Sequence, residues 1–353
     1  MFLSLKEIKK EKFRYGLIVA MIVMICYLIF ILTSLAMGLS SQNTDAIDSW
    51  SMKSIVLDKD SNTSLSQSLI TKDQKKNIKL TKDEALIGQA SVVAKKNGYA
   101  KESSQFLGLS KKQFIAKNLI LTSGHKINSS HQIIVDEKFK TDGYKIGDKL
   151  NFNSDKTKYT IVGFVKNAKL NISPVIYGDI TTWQSIKNLN GQFVGSAIVS
   201  KKANFKANNE QLKTYSTSAF ISKLPGYSAQ NSTFIFMIGF LMAISLIVIA
   251  VFLYILTIQK LQNYAVLRAQ GIPAKTLINA TISQSIILVI GGLLIGTILT
   301  AATAFILPAS VPMSFDVPIL SSVGIGLILT GLIGALIPIK LILNVDPVSV
   351  IGG

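Results

Sequence analysis

The chain has 353 residues and carries 37 basic against 19 acidic side chains, a formal net charge of +18. Its mean hydropathy of +0.42 exceeds that of a typical soluble protein, yet only four runs are apolar enough to cross about 30 Å of hydrocarbon. A wholly soluble protein and a chain buried entirely in the bilayer are both excluded. The single cysteine, Cys26, lies inside the first apolar run, so the polar remainder must fold without disulfide bonds.

The apolar runs divide the chain into segments. A basic stretch at 1–15 is predicted to form a short interfacial helix. The run at 16–39 is longer than an ordinary signal-peptide core, which favours an uncleaved signal anchor. The further predicted segments are a polar domain at 40–231, a second span at 233–258, a polar island at 259–285, a third span at 286–307, a short loop at 308–318, a fourth span at 319–343 and a tail at 344–353.

The charges beside the spans predict the topology. A cluster of lysines with one arginine precedes the first span, and the island carries Lys260, Arg268 and Lys275 with no acid. The loop at 308–318 has Asp316 and no cation. Because short cationic flanks stay inside, we predict a multi-pass protein of the cell membrane with both termini cytoplasmic and the large domain extracellular.

The polar domain at 40–231 holds most of the charge. It contains 28 lysines, no arginine and 15 acids, a net +13. A solvated surface accounts for this charge, and attraction to anionic polymers or lipid headgroups of a cell envelope is the alternative. Short strand-like runs between helix-like pieces predict an α+β fold, and the alternation at 159–165 predicts a half-buried strand. Four transmembrane helices with this domain between the first and second are the predicted architecture.

The sequence of the island at 259–285 predicts regular secondary structure and not a simple loop. Helix formers continue without Gly or Pro as far as Gln270. Gly271 suits the left-handed position after a helix, and Pro273 suits the first turn of the next one. We predict a cytoplasmic helix-turn-helix that receives force. An uninterrupted helix of about 57 Å over 233–270 is predicted to join it to the second span. A helical hairpin without any partner is the alternative.

The third and fourth spans contain small residues that let helices approach closely in lipid. Gly292 and Gly296 form a Gly-xxx-Gly pair, and the fourth span holds four further glycines. We expect both spans to pack through these residues against other helices. Pro338 is expected to kink the fourth span.

The order of these segments resembles the MacB-like and FtsX-like permeases of ABC transporters. AVLRAQGIPAKTL at 265–277 is similar to a signature that follows the family's second span, and the closing DPVSVIGG and the patches IGDKLNF and YTIVGFV agree with it. FLYILTIQKLQNYAVLRAQGI and KFRYGLI most resemble the haem-efflux permeases within that family. The broader family usually has a glutamate where this chain has Asn263.

The resemblance implies a homodimer in contact with membrane lipid and with two copies of a separate ABC ATPase, which binds the ATP. No G-x-x-x-x-G-K-[ST] loop occurs in the sequence. The chain is therefore expected to be no enzyme, with no catalytic or metal site, no cofactor of its own and no bound nucleic acid. The residues expected to couple it to the ATPase are Asn263, Arg268, Gly271, Pro273, Lys275, Asp346 and Pro347.

The first functional hypothesis is export of an amphiphile, with haem as the foremost candidate substrate. The alternatives are an ATPase-driven relay that controls an extracellular hydrolase or sensor, and an exporter of peptides, drugs or lipoproteins. Haem is flat and apolar, and its iron accepts thioether or phenolate ligands. If haem enters from the outer leaflet, it should lie between the outer halves of the first two spans. The candidate contacts there are Met37, Tyr227, Phe234, Phe236, Met237, Phe240 and Met242.

Overall fold

The structure, a computed structural model, describes residues 11–308 and 311–344. The chain forms two compact units: Met1–Gly38 together with Asn231–Gly353, and Leu39–Gln230. The predicted coupling residues Asp346 and Pro347 lie outside the described residues, as does most of the predicted interfacial segment at 1–15. The helices are α1 (Lys12–Ser49), α2 (Lys72–Lys76), α3 (Phe114–Asn118), α4 (Glu137–Thr141), α5 (Ile180–Ile186), α6 (Thr217–Ile221), α7 (Tyr227–Gln259), α8 (Leu261–Ala269), α9 (Ala274–Ile306), α10 (Val317–Gly334) and α11 (Leu336–Leu343).

The predicted fold class is confirmed. Within the described ranges, four helical stretches are long and apolar enough to cross a membrane: α1, α7, α9 and α10 with α11. A mixed sheet lies between the first and second of them in sequence. The fourth stretch breaks at Ala335, three residues before Pro338, whose ring conflicts with a helical carbonyl four residues back.

The membrane helices pack through their small residues, as expected. A Cβ on Gly292 would collide with Ile22 of α1, and a Cβ on Gly296 would lie 3.0 Å from the Cβ of Cys26. A Cβ on Gly331 of α10 would lie 2.6 Å from a methyl carbon of Val289 in α9. The Ser285 hydroxyl donates to the Gly331 carbonyl at 2.9 Å, adding a polar link between the same two helices.

The uninterrupted helix expected over 233–270 is wrong. Helix α7 ends at Gln259 and α8 begins at Leu261, with Lys260 between them at φ −102° and ψ 1°. The Lys260 N–H donates to the Thr257 carbonyl, three residues back, at 3.1 Å. The Thr257 hydroxyl donates to the Leu253 carbonyl of the same helix at 2.8 Å. Both features tighten and bend a helix without Gly or Pro.

The polar domain is built on a mixed sheet with the strand order β13-β1-β12-β3-β4-β10-β6-β8-β5. Strand β7 pairs with both β3 and β8, so β3, β4, β10, β6, β8 and β7 form a closed ring of pairings. The strands are β1 (Ser54–Asp58), β2 (Ile70–Thr71), β3 (Glu84–Lys95), β4 (Glu102–Leu109), β5 (Leu121–Gly124), β6 (Gln132–Asp136), β7 (Lys149–Phe152), β8 (Tyr159–Val165), β9 (Lys169–Leu170), β10 (Ser173–Asp179), β11 (Phe193–Gly195), β12 (Ala197–Ser200) and β13 (Leu212–Ser216).

Both faces of this sheet are covered. One face carries an apolar cluster that includes Leu107, Val162 and Tyr177, and the other carries a cluster around Phe106 and Trp183. Strand β8 is accordingly buried along almost its whole length. The prediction of a half-buried strand at 159–165 is wrong, because an alternating pattern cannot show whether a second layer covers the outer face.

Candidate functional site

The turn between α8 and α9 has the geometry that its sequence predicts. Gly271 adopts φ +90°, the left-handed conformation that glycine accepts most readily. The Ile272 N–H donates to the Leu267 carbonyl and the Gly271 N–H to the Arg268 carbonyl, both at 3.0 Å. This pair of bonds is a Schellman motif, completed by apolar contact between the side chains around Leu267 and Ile272. Pro273 stands at the N-cap of α9.

This hairpin packs on one side and is open on the other. Tyr264 and Leu277 are buried together with Ile342 of α11, which anchors the turn on the end of the fourth span. Asn263, Gly271, Pro273 and Lys275 are exposed and Arg268 is partly exposed. The described coupling residues thus share one open, acid-free element.

Sequence reasoning missed a buried polar cluster at the base of the hairpin. The Lys260 ammonium donates to the Tyr15 hydroxyl at 2.7 Å, and the Gln284 amide donates to the same oxygen. All three residues are at least nine-tenths buried. The cluster joins α1, the α7–α8 break and α9. The only sequence signals were a lysine and a glutamine at positions that an apolar helix face would otherwise occupy.

The predicted haem residues do not form one cluster. Phe236 and Phe240 are 69% and 70% exposed, one turn apart on the same face of α7. Met242 packs inward instead, because a Cβ on Gly326 of α10 would lie 2.9 Å from its terminal methyl carbon. Met37, Phe234 and Met237 are half-buried. Tyr227, in the other unit, accepts a hydrogen bond from the Ser40 hydroxyl at 3.3 Å.

An apolar cavity of about 420 Å³ lies between α1, α9 and α10. Phe30, Leu293, Phe315 and Leu320 provide much of its wall, and the hydroxyls of Thr297 and Thr300 bond to their own helix at 2.7 and 2.8 Å. None of the predicted haem residues lines it. This cavity is therefore a second place in the membrane unit for an apolar ligand.

Residues 235–347 match the family model described as FtsX-like permease C-terminal. The chain is 28% identical over 353 residues to the "Putative hemin transport system permease protein HrtB" of Staphylococcus epidermidis, covering 100% of this chain and 99% of that protein. A protein of the same name from Staphylococcus haemolyticus is 26% identical over 360 residues, with the same coverage.

Two solved structures resemble part of the chain. The periplasmic region of MacB from Actinobacillus actinomycetemcomitans is 13% identical with a TM-score of 0.36, covering 47% of this chain and 89% of that one. The extracellular domain of the noncanonic ABC-type transporter YknZ from Gram-positive bacteria is 11% identical with a TM-score of 0.35. The match covers 46% of this chain and 98% of the YknZ domain.

The four membrane-length helices and the match of residues 235–347 make this chain similar to the FtsX-like permeases, a class of membrane protein. The predicted resemblance to the FtsX-like permeases is confirmed for residues 235–347, which match that family model. Similarity of sequence also extends over the full length of the relatives named as hemin transport system permeases.

Proposed function

We propose that this chain is the membrane subunit of an exporter that expels haem from the membrane, driven by a separate ABC ATPase. The observation that carries the proposal is the open helix-turn-helix of α8 and α9, in which α9 is itself a membrane helix and only Lys260 separates α8 from the membrane helix α7. An ATPase that moves this element displaces both helices together. The full-length similarity to proteins named for hemin transport supports haem as the substrate.

The ATPase docks, in this proposal, on the exposed side of the hairpin around Arg268 and Lys275. Both residues are cations, and the exposed Pro273 lies between them in sequence, so the turn combines charge with an apolar contact. A docking groove on the ATPase should be acidic at its rim and apolar at its centre. Arg268→Glu should abolish co-purification of the co-expressed ATPase. The matched variant Arg14→Glu, which reverses an exposed cation on α1, should retain it.

A second copy of the chain completes the permease in this proposal. Helix α7 exposes an apolar stripe with a spacing of three or four residues, formed by Ile244, Ile247, Val251, Ile255 and Ile258. That spacing suits a seam between two helices. Ile247→Cys should crosslink to a second copy under oxidation, whereas Leu329→Cys, an equally apolar exposed position on α10, should not. The native Cys26 is buried and adds little background.

Haem lies, in this proposal, against the outer half of α7, where Phe236 and Phe240 offer exposed aromatic faces and the half-buried Met37 and Met237 offer sulfur. The test is the variant in which Met37, Met237 and Met242 are all replaced by leucine, which keeps volume and apolarity. We expect a changed haem absorption spectrum of the purified protein and loss of haem tolerance in cells. An unchanged spectrum with full tolerance would assign these methionines to packing and direct attention to the cavity between α1, α9 and α10.

The orientation follows the positive-inside pattern, with the hairpin in the cytoplasm and the polar domain outside. Lys79→Cys, on the polar domain, should react with an impermeant maleimide in intact cells. Lys275→Cys should react only after the cells are opened. Labelling of Lys275→Cys in intact cells would refute the orientation and, with it, docking of a cytoplasmic ATPase on the hairpin.

A further inference from the structure

Three buried polar side chains at the base of the hairpin have no part in the docking of an ATPase proposed above. Tyr15, Lys260 and Gln284 are 1%, 7% and 4% exposed. A single oxygen, the Tyr15 hydroxyl, accepts a hydrogen bond from the Lys260 ammonium at 2.7 Å and another from the Gln284 amide. The three residues belong to α1, to the break between α7 and α8, and to α9. We call them the Tyr15 cluster.

Both arms of the hairpin reach the Tyr15 hydroxyl. Lys260 is the residue directly before α8. Gln284 lies about two helical turns after Leu277, on the buried face of α9. Leu277 in turn packs against Tyr264 of α8. A movement of the hairpin as a unit therefore shifts both hydrogen-bond donors together.

Helix α1 lies far from the hairpin in sequence, so only non-covalent contacts can carry a movement of the hairpin to it. Tyr15 stands on the same buried face of α1 as Ile18, Ile22 and Cys26, which pack with residues of α7 and α9 in one apolar cluster. The helix has no break between Tyr15 and Gly38. A displacement at Tyr15 is therefore passed along that stretch of α1.

A hydrogen bond fixes position more sharply than apolar packing does. It weakens steeply once the donor and acceptor leave a narrow range of distance and angle. Buried polar groups also cost desolvation energy, so apolar side chains of similar size would stabilise the folded chain at least as well. The polar character of the Tyr15 cluster thus favours a role in holding α1 to the hairpin over a role in stability.

We propose that the Tyr15 cluster makes α1 follow the hairpin when the ATPase moves it. Three membrane helices, and not only α7 and α9, then respond to each cycle of the ATPase. Tyr15, Lys260 and Gln284 are positioning residues for export in this scheme. The inference rests on the proposed function and deepens it, because Met37 of α1 is one of the residues proposed to contact haem. Movement of α1 thereby displaces one wall of the proposed haem site.

The main test replaces all three polar side chains at once, as Tyr15→Phe, Lys260→Met and Gln284→Met. This triple variant keeps side-chain volume nearly constant and removes both donors together with their shared acceptor. Its thermal midpoint should match or exceed that of the unmodified chain. In proteoliposomes with the co-expressed ATPase, hydrolysis should persist, while the haem exported per ATP hydrolysed should fall about fivefold or more.

Thr281→Val is the matched control for a buried polar group at the base of the hairpin. Thr281 is 2% exposed and lies about one turn from Gln284 on the buried face of α9. Its hydroxyl donates within the same helix, to the Leu277 carbonyl at 3.1 Å. The substitution therefore cuts no link between helices, and export should persist. A loss of export equal to that of the triple variant would overturn the proposal, since any buried change at this place would then suffice.

A distance measurement reports the movement of α1 without haem. Nitroxide labels are placed at Leu17→Cys on α1 and Ile298→Cys on α9, positions that are 61% and 67% exposed, in a chain carrying Cys26→Ala. Electron paramagnetic resonance then compares the distance between the labels with and without nucleotide trapped on the ATPase. With the Tyr15 cluster intact the distance should stay the same, because α1 and α9 move together. In the triple variant it should change, because α1 no longer follows.

The outcomes separate this inference from the proposed function. Full export with an unchanged distance in the folded triple variant would overturn the role of the cluster and leave the proposed function intact. If the ATPase does not bind the unmodified chain, both fail. A distance that depends on the cluster, in a chain that exports no haem, would support the cluster and refute haem as the substrate. Should the triple variant fail to fold, Gln284→Met alone removes the bond to α9 and should show a smaller loss of the same kind.

Discussion

Replacing Gly271 tests whether the shape of the hairpin transmits force. Gly271 sits at φ +90°, and a Cβ built there would have no neighbour within 4 Å. Gly271→Val therefore creates no clash, and its cost comes from the backbone alone. A left-handed conformation costs an L-residue about 1–2 kcal/mol, and a β-branched side chain adds to that. The population of the Schellman turn should fall by roughly 5- to 30-fold relative to other local conformations.

The assay compares haem export with ATP hydrolysis in proteoliposomes that contain the chain and its co-expressed ATPase. Gly271→Val should keep most of the hydrolysis and lose most of the export, because the membrane helices and their packing are untouched. Gly271→Asn should restore export, since asparagine tolerates the left-handed region. Gly291→Val is the matched control, because Gly291 also has open space around it but lies within α9 without a positive φ. Export by Gly271→Val at the unmodified rate would refute the idea that this turn couples the two subunits.

Three further predictions concern stability. Gly292→Leu should lower the thermal midpoint in detergent, since its side chain would collide with Ile22, whereas Gly239→Leu, in open space on α7, should not. Tyr15→Phe should cost about 1–3 kcal/mol of stability, since Lys260 and Gln284 lose a buried acceptor, and an unchanged midpoint would contradict this. Burial raises the pKa of Asp148, but the Lys96 ammonium at 2.6 Å and the Lys145 N–H outweigh burial and hold that pKa below its ordinary value of about 3.9. The contribution of ionised Asp148 to the stability of the folded chain is therefore fully present above that value and is lost as the pH falls through the lowered pKa. Asp148→Asn should accordingly flatten the acid limb of a plot of melting temperature against pH.

The parts of the protein that local sequence determines were predicted well. Long apolar runs identify membrane helices because a bilayer demands continuous internal hydrogen bonding. The turn at Gly271 follows from chemistry confined to a few neighbouring residues, since Ala269, Gln270 and Pro273 surround the glycine in the order that ends one helix and starts the next. The glycine-lined faces of α9 and α10 could be predicted for a similar reason, because the spacing of glycines in a helix shows on which side another helix can approach closely.

Contacts between residues far apart in the chain could not be predicted from the sequence patterns. The break at Lys260 occurs in good helix-forming sequence, where the lysine side chain reaches Tyr15, 245 positions away. Propensity contributes only tenths of a kcal/mol per residue, so one buried tertiary contact outweighs it. The burial of β8 likewise depends on which strands become its neighbours. Periodicity states which face of a strand is apolar, and only the assembled sheet decides whether the opposite face meets water, a second layer or a cavity.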